Sequence, residues 1–189
     1  MAAPRHQAGE KWTWRAENGA TWSETVQADG DLTQMKQANG DVIVHDDDWV
    51  IRKVVRSDTG FTARKGVWRT TSGQKIMNFP LRVGDNWEYS FFAPSAGGRG
   101  NLVTFWHDFR VLSCEEVTTV AGTFPALKIS YHEASSESYY QTGIGGPDTG
   151  NSFIWYAPQV KHIVKREYGR EWVGVPGLRN FELIKYEGK

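Results

Sequence analysis

The sequence predicts an all-β fold, built as a strongly curved antiparallel sheet or unclosed β-barrel with little helix. Bulky residues alternate with polar ones in several segments, of which Trp87, Tyr89 and Phe91 are the clearest example. Asn-Gly, Asp-Gly and similar turn signals separate these segments at short intervals. No window of about eleven residues or more carries the apolar stripe of period 3.6 that indicates a helix.

Turn signals set the limits of successive strands along the whole chain. Asn18–Gly19 ends the first strand, Ser72–Gly73 separates two strands in the middle, and Cys114 ends a strand beside Glu115. The predicted strands are 10–16, 21–27, 32–37, 41–45, 49–57, 61–69, 74–79, 86–92, 102–114, 115–121, 124–134, 137–142, 152–157, 161–169 and 180–187. A flat sheet does not hold so many short strands, so the sheet must curl, split or close. Short helices have room only at 94–100 and 173–179.

Composition and charge exclude several classes of protein. The 189 residues include 22 Lys and Arg and 22 Asp and Glu, a balance that excludes electrostatic capture of nucleic acid or of an anionic membrane. Mean hydropathy is −0.54, and no apolar run approaches the length of a transmembrane span. We expect a single β domain over 1–189, with a flexible N-terminus at 1–8.

Three segments carry a resemblance to a known family. They are Phe79–Tyr89, Glu116–Ile129 and Trp155–Tyr168, each of which combines a Gly or Pro turn with a strand. In this order and spacing, residues 79–187 resemble an exported bacterial family of unknown function with a fold similar to the lipoprotein carriers LolA and LolB. The resemblance implies an unclosed barrel with an apolar concave face, a periplasmic or otherwise exported location and a lipid-like ligand. It implies no known activity, and it supplies no catalytic residue.

The abundance of aromatic residues has two interpretations, and the sequence favours neither over the other. Nine Trp, seven Tyr and nine Phe either fill the concave side as core or form the walls of a ligand cleft. On the second interpretation, eight residues line the concave face and bind the ligand: Trp87, Tyr89, Phe91, Phe105, His107, Phe109, Trp155 and Tyr156. His107 supplies the polar anchor for a ligand head group, and the Gly-rich loops 95–101 and 143–151 act as gates. A lone His in an apolar row is nevertheless more often a satisfied core residue.

Catalytic and metal sites have little support. His45 and Asp46 to Asp48 form a polar turn between two apolar segments, and a calcium loop would need more ligands and a Gly hinge. No nucleophile elbow is present, and the charges of Glu115 and Glu116 would raise the pKa of Cys114. His162 lies among lysines and Arg166, which indicates a solvated edge. We therefore expect no catalysis, no cofactor and no metal.

Three functions are consistent with these observations. We favour a non-catalytic exported binding protein that holds an apolar or amphiphilic ligand in the concave face. The alternative is an interaction module of a bacterial envelope assembly, in which edge strands and aromatic patches dock a protein partner. A glycan-acting hydrolase using a carboxylate pair such as Asp48 and Glu88 is the weakest of the three.

Overall fold

All regular structure in the described part of the chain is β-strand. The computed structural model describes residues 1–27, 33–37, 42–45, 50–56, 66–94, 102–135, 152–168 and 180–188. Its strands are β1 (Lys11–Ala16), β2 (Thr21–Gln27), β3 (Thr33–Gln37), β4 (Val42–His45), β5 (Val50–Arg56), β6 (Gly66–Lys75), β7 (Asn86–Pro94), β8 (Leu102–Thr119), β9 (Gly122–Ser135), β10 (Ser152–Ala157), β11 (His162–Glu167) and β12 (Phe181–Glu187). Within these ranges we find no helix with the length and apolarity that crossing a bilayer demands.

The strands form one antiparallel sheet that curls round on itself. Its order is β6-β5-β4-β3-β2-β1-β12-β11-β10-β9-β8-β7, so β6 and β7 are its two ends. These ends nevertheless approach each other, because the indole N–H of Trp87 in β7 donates a hydrogen bond of 3.1 Å to the carbonyl of Lys75 in β6. No ladder of backbone hydrogen bonds joins the two strands in the described residues. The prediction of an unclosed, strongly curved antiparallel sheet is confirmed.

The predicted break between strands 102–114 and 115–121 is wrong. A single strand, β8, runs from Leu102 to Thr119 and pairs with β9 until Thr119 meets Gly122. The extra residue is absorbed by an irregularity in the pairing between Val111 and Ser113. A β-bulge of this kind bends a strand without ending it, and no turn residue is needed there.

The predicted turn at Ser72–Gly73 is also wrong. Strand β6 continues through both residues, from Gly66 to Lys75. Its partner β5 pairs Ile51 with Gln74 and then Lys53 with Arg69, so the intervening β6 residues are taken up as an irregularity. The chain turns only after Lys75. The predicted strand 137–142 and the predicted short helices lie outside the described residues.

Two turns follow their sequence signals. At Asn18–Gly19, Gly19 has a φ of 85°, and its N–H donates to the carbonyl of Ala16 at 2.9 Å. Before β7, Gly84 has a φ of 95°, and Asp85 closes the turn by accepting a 2.7 Å hydrogen bond from the N–H of Arg82. Glycine adopts such positive φ values without the steric cost that a Cβ imposes.

The core fills the inside of the curled sheet, which we call the inner face. Trp12 and Trp14 of β1 are its largest buried side chains, and their indole N–H groups donate to the carbonyls of Val160 and Ile163 at 2.7 and 2.9 Å. Each ring therefore buries its apolar area while its polar atom keeps a partner. Other fully buried members of the core come from the 76–85 connection and from β8, β9, β11 and β12: Met77, Leu81, Val111, Ile129, Val164 and Leu183.

The first residues lie against the same domain. The backbone of Met1 exchanges two hydrogen bonds of 2.9 Å with Leu81, and the side chain of His6 is buried. The flexibility expected for residues 1–8 is a statement about motion, and it stays a prediction.

Candidate functional site

Six aromatic rings on the inner face form a continuous array, which we call the ring array. Its members are Trp87 and Tyr89 of β7, His107 and Phe109 of β8, Tyr131 of β9 and Tyr168 directly after β11. The rings of Trp87 and Phe109 stack with centroids 4.9 Å apart and an interplanar angle of 2°. Tyr89 and His107 stack at 4.9 Å and 6°. The array continues through Tyr131, 5.9 Å from Phe109, to Tyr168 at 6.1 Å.

Strand register explains why these rings meet. Trp87 pairs with Phe109, which pairs in turn with Tyr131, and Tyr89 pairs with His107. Directly paired residues point to the same side of a sheet with Cβ atoms about 5 Å apart, close enough for aromatic side chains to stack. The alternation of β7 and β8 thus places four of the predicted ligand-binding residues together.

The ring array leads from the core to one rim of the sheet. Trp87, Phe109 and Tyr131 are buried, with 8%, 5% and 8% of their surface exposed, whereas Tyr89, His107 and Tyr168 are partly exposed. Strands β7, β9 and β11 all end on this side, which we call the distal rim. Segments 95–101 and 143–151, predicted to be gates, follow β7 and β9 and lie outside the described residues.

Arg166 of β11 adds a positive charge to the ring array. Its guanidinium carbon lies 5.3 Å from the ring centroid of Tyr131 and 5.2 Å from that of Tyr168. The backbone pairs Arg166 with Ile154 on one side and Phe181 on the other, which places it on the inner face. Within the described part of the chain, no carboxylate lies within 4 Å of Arg166, and its Nε is buried without an acceptor.

His107 is uncharged at neutral pH. Burial is the largest cause and the charge of Arg166 the second, and together they lower the pKa of His107 to about 4. Burial disfavours the charged imidazolium, and a neighbouring cation disfavours it again. At pH 7, Arg166 therefore carries a positive charge beside the ring array, and His107 does not.

The structure separates Trp155 from Tyr156. These neighbours in β10 pair with Lys128 and Leu127 and so point to opposite faces. Tyr156 lies on the inner face with its ring 5.5 Å from Phe79, and burial raises its pKa above the ordinary range. Trp155 lies on the outer face, where Lys128 and Lys165 each place an ammonium group 5.1 Å from its ring and only 4% of it is exposed. Trp155 thus does not share a face with the ring array.

Phe91 and Phe105 are register partners in the β7–β8 pair. Their backbones lie two residues beyond Tyr89 and before His107, towards the distal rim, and their side chains lie outside what the structure describes. The predicted set is therefore brought together at Trp87, Tyr89, His107 and Phe109, with Tyr156 deeper in the core.

A hollow of about 360 Å³ adjoins the ring array at the edge of the sheet. It is lined by Glu88, Tyr89, Ser90, Trp106, His107 and Asp108. A larger hollow of about 530 Å³ lies near the 78–86 turn, away from the rings, and its lining residues are mostly polar. The hollow beside Tyr89 and His107 thus lies at the β7–β8 edge, lined by these two inner-face residues and by four outer-face residues.

The outer face of the same strands carries a row of charged residues. Glu88 pairs with Asp108, and Asp108 lies 3.1 Å from Nδ1 of His132. Trp106 is 49% exposed on this face. No group of three or more potential metal ligands occurs among the described residues. The Asp46–Asp48 turn lies outside them, so the weighed metal site and the Asp48–Glu88 pair stay untested.

His162 does not lie on a solvated edge, which corrects that prediction. Its ring packs between Trp12 and Trp14, with centroid distances of 5.0 and 4.7 Å, and only 12% of its side chain is exposed. The bulge in the pairing between β10 and β11 shifts the side-chain alternation of β11, so the polar neighbours of His162 in the sequence do not reveal its face.

A second polar cluster surrounds Glu10, a wholly buried carboxylate before β1. It accepts hydrogen bonds from Nζ of Lys161, from the N–H of Gln7 at 3.0 Å and from the hydroxyl of Tyr186 at 3.4 Å, and Nδ1 of His6 lies 3.2 Å away. Burial alone would raise the pKa of Glu10, but the hydrogen bonds from Lys161, Gln7 and His6 and the charge of Lys161 hold it below its ordinary value. The cluster fastens the N-terminal segment to the β10–β11 turn.

Comparison with solved structures finds the same fold at low sequence identity. The hypothetical lipoprotein YmcC of Escherichia coli K12 superposes with a TM-score of 0.52 and 9% identity over 93% of this chain and 83% of that chain. The fold is YmcC-like. A candidate lipoprotein of Parabacteroides distasonis gives a TM-score of 0.50 and 14% identity over 98% of both chains. At these identities the likeness concerns the fold alone.

More distant comparisons add little. An exported protein of Bacteroides fragilis described as YmcC-like gives a TM-score of 0.42 and 15% identity, over 98% of this chain and 99% of that chain, which is too low to support a conclusion. No protein-family profile matches the sequence, and no curated protein matches it. The YmcC-like fold does not establish the resemblance to LolA and LolB, which stays a prediction.

Sequence analysis missed three residues of this site: Tyr131, Arg166 and Tyr168. Each lies on or directly after a strand far along the chain from β7, and only the register of the sheet brings it to the ring array. The spacing of two between Arg166 and Tyr168, in a strand with its inner face known, would have indicated that they point the same way.

Proposed function

We propose that this chain is a non-catalytic exported binding protein that holds an apolar or amphiphilic ligand along the ring array. The observation that carries the proposal is the continuity of the array from buried Trp87 to the partly exposed rings of Tyr89, His107 and Tyr168. An array that only filled the core would be covered along its whole length. This one reaches a rim at three rings that are only partly buried.

Export is supported by the names of the structural neighbours. Two proteins with this fold are described as lipoproteins, which are proteins of the bacterial envelope. Lipid-like molecules are abundant in the bacterial envelope, and an aromatic lining binds apolar chains. The transfer of about ten methylene groups from water to such a surface contributes about 8 kcal/mol before the costs of association are subtracted.

The proposal is tested by titrating the protein with an apolar fluorescent probe, N-phenyl-1-naphthylamine, and displacing the probe with dodecanol. We expect saturable binding of one probe per chain and competitive displacement. Tyr89→Ala removes a partly exposed ring of the array, so we expect affinity to fall by about tenfold, which corresponds to 1.4 kcal/mol. His107→Ala should weaken binding in the same direction.

Val120→Ala is the matched control, because it removes an exposed apolar side chain from the β8–β9 turn, away from the hollow and the ring array. We expect its affinity to stay within about twofold of that of the parent protein, since probe bound along the inner face does not touch it. Circular dichroism and thermal melting report whether each variant is folded. Absence of saturable binding to the folded parent protein would reject the proposal.

A second candidate, an interaction module of an envelope assembly, is favoured by the exposed outer-face residues Trp106 and Leu112. Exposed large apolar side chains on a sheet face are typical of surfaces that meet a partner. Probe binding that is lost in Trp106→Ala and kept in Tyr89→Ala would favour this candidate over the binding protein.

A further inference from the structure

We propose that Arg166 binds an anionic head group, so that the ligand of the inner face is an anionic amphiphile with its acyl chain on the ring array. The inference rests on the proposed function and adds to it the charge and the position of the head group. It replaces His107 by Arg166 as the polar anchor of the site.

The first support is the lack of a counter-ion. Arg166 lies over Tyr131 and Tyr168 at 5.3 and 5.2 Å, and none of the described carboxylates pairs with it. Its Nε is buried and has no acceptor. A guanidinium that is partly removed from water normally has a paired carboxylate or phosphate, because its donors are otherwise left unsatisfied.

The second support comes from the neighbouring charges, which are already paired with each other. Lys165, the residue before Arg166, points to the outer face and lies 2.6 Å from Glu167. On the adjacent strand, Glu182 accepts a 2.8 Å hydrogen bond from Arg15. Lys165 and Glu182, two described charged residues next to Arg166 in the sheet, thus have other partners.

The third support is the geometry of the rings. The guanidinium carbon lies over the rings of Tyr131 and Tyr168, and cation–π contacts of this kind hold an arginine head group in place. The planar fork of an arginine donates two parallel hydrogen bonds to a carboxylate or a phosphate. His107 is neutral because its pKa is about 4, so it offers hydrogen bonds to the same head group without competing for its charge.

The test compares ligands that share one chain and differ in the head group. Dodecanoate, dodecyl phosphate and dodecanol are titrated at pH 7.4 in low salt, below their micellar concentrations, by displacement of N-phenyl-1-naphthylamine. We expect both anions to bind at least tenfold more tightly than dodecanol. In Arg166→Gln this ratio should fall to about one, while the affinity for dodecanol changes by less than threefold. Arg166→Lys should keep part of the preference.

Lys165→Gln is the matched control, since it removes an adjacent positive charge from the outer face. It should keep the preference for anions. Acetate and inorganic phosphate are tested as short anions without a chain, and we expect neither to displace the probe at millimolar concentration.

Each of the remaining outcomes would overturn one part of the account. If dodecanol binds as tightly as dodecanoate to the parent protein, the head-group assignment is wrong and the proposed function is untouched. If none of the three ligands binds, the proposed function itself is wrong. Displacement by phosphate as effective as that by dodecyl phosphate would mean a free-anion site and would reject the amphiphile. These comparisons use the parent protein, so they decide the matter even where Arg166→Gln does not fold.

Discussion

Loss of the Lys161 ammonium should destabilise the protein by leaving the Glu10 carboxylate buried without a cation. Glu10 is completely inaccessible to solvent, and Nζ of Lys161 donates to its Oε1. His6 is the other basic group in contact, but burial lowers its pKa to about 4, so it is neutral at pH 7. Lys161→Met keeps the length of the side chain and leaves the positive φ of this position as it is.

The size of the effect follows from the contacts that remain. Breaking a buried ion pair by removing one partner costs about 3 to 5 kcal/mol. The Gln7 amide and the Tyr186 hydroxyl still donate to Glu10, and the Lys161 side chain is 26% exposed, so we expect the lower end, about 3 kcal/mol. Urea unfolding at pH 7.5, followed by tryptophan fluorescence, measures this loss as a lower midpoint at constant slope.

The dependence on pH gives a second readout. The lowered pKa of Glu10 contributes stability that is present above its ordinary value near 4.5 and is lost as pH falls through the folded-state value. Without Lys161 the pKa of Glu10 rises, so acid neutralises the unpaired carboxylate. The free energy of unfolding that Lys161→Met loses relative to the parent protein should therefore become smaller as the pH falls from 7.5 to 4.5.

The double variant Glu10→Gln with Lys161→Met isolates the pair. Because it removes the buried charge, it should be at least about 1 kcal/mol more stable than Lys161→Met alone. A loss below about 1 kcal/mol for Lys161→Met would refute the buried-pair account of this cluster. So would a loss in the double variant that equals the sum of the losses in Glu10→Gln and Lys161→Met.

Three further variants test the ring array and the turn before β7. The pKa of His107 is about 4 in the fold against an ordinary 6.5, so its share of stability is present above 6.5 and falls as pH drops towards 4. His107→Phe should remove about 1 to 2 kcal/mol of the stability lost between pH 7.5 and 5 in denaturant titrations, and an unchanged pH slope would contradict this. Gly84→Ala should cost about 1 to 2 kcal/mol through its positive φ alone, since no atom lies within 4 Å of the added Cβ. Gly84→Asn should cost less, and thermal melts of the parent and both variants measure the two losses. Equal stability of all three proteins would show that the backbone is not strained there.

Local patterns in the sequence were sufficient for much of the fold. Alternation predicted strands at 86–92 and 152–157, where the structure has Asn86–Pro94 and Ser152–Ala157. Local patterns failed to predict the strand limits where a strand continues through an irregularity in its pairing, as in β6 and β8. A bulge depends on hydrogen bonds to the partner strand, and these leave no mark in the composition of one segment.

The candidate site was predictable only within one pair of strands. The alternation of β7 and β8 placed Trp87, Tyr89, His107 and Phe109 on one face, and the structure stacks them. Arg166 was overlooked because nothing in its own segment tells which face it occupies. The assignment of such a residue requires the register between β9, β10 and β11, which the chain fixes only when the whole sheet forms.

The most direct test of a ligand on the ring array is to locate it. The protein is irradiated with a dodecanol analogue carrying a diazirine at the end of its chain, and the labelled peptides are identified by mass spectrometry. Our account predicts label on inner-face residues around Tyr89, His107 and Tyr131, and its loss when unlabelled dodecanol is in excess. Label concentrated on the outer face at Trp106 or Leu112, or label that excess dodecanol does not remove, would contradict it.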